Sequence, residues 1–69
     1  MTNTKLFDEY MRAAGFSYSS LARRMGITDA TLRGKVANHA NYSSFTVSER
    51  YFIRSLFDLT KDEEKKIFG

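Results

Sequence analysis

A chain of 69 residues without a single cysteine has to close its fold with apolar side chains alone. At this length a domain buries barely enough surface to be stable, and the usual remedies are disulfides or a structural metal. Neither is open here. The missing cysteines exclude disulfides, thiolate zinc sites, iron–sulfur clusters and thiol nucleophiles, and a lone histidine, His39, excludes a multi-histidine metal site. The compensation is aromatic bulk: 42% of the residues are hydrophobic, and 6 Phe and 4 Tyr are among them. Aromatic side chains bury the most area per residue, so a short chain rich in them can still fill one core. The reading is one globular domain over residues 1–69.

Proline is absent as well, which removes the strongest breaker of helices. No stretch shows sustained alternation, and no Asn-Gly or Asp-Gly hairpin turn occurs. The pattern predicts an all-α fold of five short helices. The first runs Lys5–Ala14 and ends at Gly15, with Leu6, Phe7, Tyr10, Met11 and Ala14 as its inner stripe. The second starts after Ser17, an N-cap, and runs to about Met25, where Gly26 breaks it. The third starts after Thr28, carries Asp29 in its first turn, and ends near Ala37. Residues 38–44 have loop composition. Thr46 and Glu49 form a capping box for a fourth helix to about Asp58, and Thr60 and Glu63 form another for a fifth. One core is expected from Leu6, Tyr10, Leu21, Ala22, Met25, Ile27, Leu32, Ile53, Leu56 and Phe57.

The net charge is +3, and its excess lies in residues 1–37, which carry six basic and three acidic side chains. A local basic excess suits an anionic partner. The apolar runs are far too short to span a membrane. The first ten residues lack a signal-peptide pattern, so an intracellular protein is expected. Ser17 and Ser20 have no base–acid partners in sight and are explained by capping, so no enzyme activity, small-molecule substrate or cofactor is expected.

The informative segment is Ser17–Ala37, SYSSLARRMGITDATLRGKVA. Ala22 is small enough for a second helix to cross closely. Gly26 allows the positive φ of a sharp turn. Ile27 and Leu32 pin the two helices, and Leu21 and Met25 complete the apolar side. Thr28, Asp29, Thr31, Arg33 and Lys35 are left as a polar outer face.

This segment resembles the helix-turn-helix of the Cro/repressor (XRE-like) family of phage and bacterial regulators, on Ala22, Gly26, Ile27 and Leu32 with support from Leu21, Met25, Thr28 and Thr31. Residues 45–49 and 56–64 are similar to the fourth and fifth helices of its small phage members. The resemblance implies a five-helix lambda-repressor-like domain in the cytoplasm of a bacterial host. It implies a double-stranded DNA operator as partner, a homodimer on a two-fold site, and a recognition helix over Thr28–Ala37. Asp29, Ala30 and Arg33 become base contacts, Thr28, Lys35, Arg23 and Arg24 phosphate contacts, and Tyr18 a neighbour of the backbone.

Two features depart from the family pattern: the carboxylate of Asp29 repels phosphate, and Gly34 weakens the recognition helix. Small phage lysogeny switches also include helix-turn-helix proteins that bind another regulator. The alternative partner is therefore the phage repressor, its reading surface occluded by a modulator or antirepressor. Asp29 and Arg33 would face it, with Tyr42, Tyr51 and Phe52 as apolar anchors. On a helical plot Ile53, Leu56 and Phe57 face the core, Phe52 lies at the edge of that arc, and Tyr51 falls outside it.

Overall fold

The computed structural model describes residues 1–38 and 44–69. Among them the chain is all-helical: α1 (Thr4–Ala13), α2 (Tyr18–Met25), α3 (Asp29–Val36), α4 (Val47–Leu56) and α5 (Lys61–Phe68). His39 and Tyr42 lie outside the described residues.

Every helix starts behind a side-chain oxygen. Asn3, Ser17, Thr28, Thr46 and Thr60 each accept the backbone N–H three residues on, a donor that has no partner within its own helix. At Thr46 and Thr60 the expected Glu49 and Glu63 return the bond to the cap residue. Ser17 is capped in the same reciprocal way by Ser20, a box that has no glutamate to announce it. The helix ends are just as local. Gly15 (φ +84°) and Gly26 (φ +74°) take the left-handed conformation expected of them, and Asn38 (φ +59°) and Asp58 (φ +53°) take it just beyond α3 and α4.

The core is organised around Phe7 on α1, which is fully buried. Its ring lies 5.7 Å from Phe45, 5.8 Å from Phe57, 6.3 Å from Phe68 and 6.5 Å from Tyr18. One side chain thus meets α2, the segment before α4, the end of α4 and the end of α5. Met11, Leu21, Ala22, Leu32, Val36, Ile53, Leu59 and Ile67 fill the space around these rings. On α1 the expected core residues Leu6 and Tyr10 are only partly buried, and Phe7 and Met11 take the central positions. The inner stripe of that helix is wide, and its largest ring sits where four elements converge. Phe45, by sequence a loop-side aromatic, is also buried.

The N-terminal residues tie the bundle together. Thr2 donates its N–H to the Asn38 side chain and accepts back from it, Thr4 Oγ1 donates to the Val36 carbonyl, and Asn3 donates to the Ile67 carbonyl. These bonds join the ends of α3 and α5. α2 and α3 pack directly on each other across Ala22, with Ile27 N–H donating to the Ala22 carbonyl at 3.0 Å through the Gly26 turn. No helix among the described residues is long and apolar enough to cross a membrane.

Two substitutions test this packing by chemical denaturation. Phe7→Ala should cost about 3–5 kcal/mol, because four rings lose a common neighbour. Ala22→Leu should cost about 1–3 kcal/mol by forcing α2 and α3 apart.

Candidate functional site

The face that α3 turns outward is built on its first turn. Thr28 caps the helix, and its hydroxyl donates to Thr31 Oγ1 at 2.8 Å. Asp29 follows, where the positive end of the helix favours a carboxylate. Four residues on, Arg33 returns to the same edge and donates Nε–H to Asp29 Oδ1 at 2.6 Å. Ser19 of α2 donates to the other carboxylate oxygen at 3.0 Å. Tyr18, also of α2, lies beneath the guanidinium, whose carbon is 4.5 Å from the ring centre. Burial pushes the Tyr18 phenol up and Asp8 adds to this, while Arg33 and Arg12 work against them.

The sequence-derived residues Tyr18, Asp29, Ala30 and Arg33 therefore meet at one place. Tyr18, Ala30 and Arg33 line an open groove of about 470 Å³ that also includes Thr4, Gly34 and Ala37. Ala30 is exposed, and Gly34 is buried in the groove wall. Among the described residues, Ala30, Gly34 and Ala37 add little side-chain bulk to this side of α3, and Arg33 stands beside them with Asp29 at its edge.

Arg23 and Arg24 are exposed on α2 and form no ion pair among the described residues. Arg24 stands 5.9 Å from the Phe16 ring centre and shares a shallow hollow with Met25, Glu49 and Phe52.

Lys35 is a correction. Expected on the outer face as a phosphate contact, it is buried, and its Nζ donates to both oxygens of Glu49 at 3.1 Å. Its stem leads past Phe45, whose ring centre lies 5.8 Å from Nζ. A long side chain can cross an apolar layer, and that of Lys35 runs to a carboxylate near the start of α4. Glu49 also caps α4 through Thr46, so one carboxylate closes a helix end and joins two helices. Desolvation pushes its carboxyl up, but the Thr46 N–H and Lys35 together outweigh that and leave it below the ordinary glutamate range. No spacing rule in the sequence links Lys35 to Glu49, fourteen residues apart.

The exposed aromatics do not form one patch. Tyr51 is 58% exposed and lines hollows made only of α4, α5 and the residues that follow those two helices. Phe52 is 41% exposed and belongs instead to the hollow beside Arg24. Val47, also exposed, precedes both on α4.

Comparison with protein families, with curated proteins and with solved structures finds no match to this chain.

The Lys35–Glu49 pair has a pH signature. Because the Glu49 carboxyl lies below its unfolded value, its contribution is complete above the ordinary glutamate range and is lost as pH falls through the depressed value. Stability measured against pH should therefore drop on acidification, and Glu49→Gln should flatten that limb. Lys35→Ala should cost about 1–3 kcal/mol at neutral pH, since it strips a mostly buried carboxylate of its cation. Arg33→Ala, on an exposed pair, should cost less than about 1 kcal/mol.

Proposed function

We propose that this protein is a small helix-turn-helix regulator in the lambda-repressor-like arrangement. It binds duplex DNA with α3 in the major groove, as a Cro-like member of a phage or prophage switch. The observation that carries the reading is the outer face of α3. Along one side of it run the small residues Ala30, Gly34 and Ala37, and beside them the Asp29–Arg33 pair presents a guanidinium supported by Tyr18 of α2. A helix of this shape fits the major groove, which admits one helix and presents base edges to it. Arg23 and Arg24 on α2 supply phosphate contacts, and two copies on a two-fold operator supply the contact area that one small domain lacks.

The test is fluorescence anisotropy on duplex DNA flanking the coding region, at several salt concentrations. Arg33→Ala should weaken binding by about 1–3 kcal/mol and relax sequence preference. Arg23→Ala or Arg24→Ala should weaken all sequences alike and make the salt dependence shallower by about one phosphate contact each. Binding untouched by all three substitutions at low salt removes α2 and α3 from the mechanism.

Asp29 favours a second reading. A carboxylate held rigidly on this face attracts a basic partner, and the reading surface of a repressor is basic. In that case the protein is an antirepressor, with Asp29 steering the encounter and Phe52, in the hollow beside Arg24, as apolar anchor. Asp29→Lys should then weaken repressor binding and leave overall DNA affinity equal or stronger. Loss of DNA binding with an intact protein complex would contradict it.

A further inference from the structure

Resting on the DNA reading above, we infer that Arg33 recognises a guanine through its two terminal nitrogens, and that Asp29 is the positioning residue that presents them. A guanidinium can meet two acceptors side-on, through Nε and one terminal nitrogen, or end-on, through both terminal nitrogens. Here the side-on approach is used up, because Nε–H donates to Asp29 Oδ1 at 2.6 Å. Neither Nη1 nor Nη2 has an acceptor among the described residues, and the side chain is 61% exposed. The end-on fork is left free. Its plane is fixed from three directions: Asp29 holds the edge, the Tyr18 ring supports the face at 4.5 Å, and Ser19 holds the second oxygen of Asp29 at 3.0 Å.

Little of this serves the fold. An ion pair this exposed contributes only about 0–1 kcal/mol, yet two further side chains, Tyr18 and Ser19 of α2, converge on it. What it produces is a pre-organised pair of donors at the middle of the outer face. In the major groove only guanine offers two acceptors side by side, O6 and N7. Adenine puts an amino donor beside its N7, which opposes a second donor. Phosphate also accepts a fork, but a fixed carboxylate one turn away repels the backbone. Asp29 thus works against a phosphate contact for Arg33 and in favour of a base edge. Ala30, one turn earlier on the same exposed side, leaves nothing bulky between α3 and the base pairs.

The experiment is selection of bound duplexes from a pool with a randomised centre, followed by anisotropy on the selected duplex at several salt concentrations. Wild type should select a guanine that contributes roughly ten- to a hundredfold in affinity. Arg33→Ala should lose that preference at that position alone. So should replacement of the base by 7-deazaguanine, which removes N7. Asp29→Asn should broaden the preference at the same position while keeping the salt dependence and the helical content of wild type, which a merely structural role would not do. Wild type that binds duplex DNA without a guanine preference, or whose preference survives Arg33→Ala, overturns the inference and leaves the DNA reading standing. A selected cytosine that depends on Asp29 but not Arg33 also overturns it. Failure of wild type to bind any duplex at low salt defeats the DNA reading itself, and the inference with it.

Discussion

The fold depends on the ring of Phe7. With no cysteine available to staple the chain, four elements are brought to one point by contact with a single side chain, at ring separations of 5.7 to 6.5 Å. Each ring pair adds roughly 0.5–1.5 kcal/mol beyond its buried area, a large share of the stability of so small a domain. The same cluster also reaches the surface. Tyr18 packs against Phe7 on one side and carries the Arg33 guanidinium on the other. The core therefore reaches the exposed arginine through one tyrosine, which supports the face of a guanidinium that Asp29 holds at its edge.

Electrostatics on α3 follow a different logic from the one that net charge suggests. Three of the cations in the basic half of the chain are already committed: Lys35 to Glu49 inside the bundle, and Arg33 to Asp29 and Arg12 to Asp8 on the surface. Arg23 and Arg24 on α2 are exposed cations that form no ion pair among the described residues. A face like this attracts a phosphate backbone weakly and depends on geometry for its selectivity. On the proposed DNA reading, so few free cations give a shallow salt dependence, and affinity benefits from a second copy on the same duplex.

Much of the fold was legible because its signals are local. The Thr46–Glu49 and Thr60–Glu63 boxes, the caps at Ser17 and Thr28 and the left-handed turns at Gly15 and Gly26 each concern residues within one turn of one another, and all appear as expected. The Asp29–Arg33 pair follows the i,i+4 rule and could be read in the same way. What was not legible is long-range. On α3 the buried residues Leu32, Gly34, Lys35 and Val36 are nearly consecutive; α2 packs on this helix, and Lys35 is drawn to Glu49 of α4. No helical stripe marks such a segment, and a lysine inside it reads as solvent-facing. The support of Arg33 by Tyr18 and Ser19 likewise joins residues ten or more apart. The separation of Tyr51 from Phe52 is only partly visible on a helical plot, since it depends on where α5 lies.

On the proposed reading the protein meets DNA through the outer face of α2 and α3. A titration of ¹⁵N-labelled protein with a mixed-sequence duplex at low salt, followed by amide chemical shifts, tests this. Shifts should be concentrated at Ser17–Ser19, Arg23, Arg24 and Thr28–Ala37, with Val47, Tyr51 and α5 unmoved. Shifts confined to α4 and α5, or none at any DNA concentration, would contradict it.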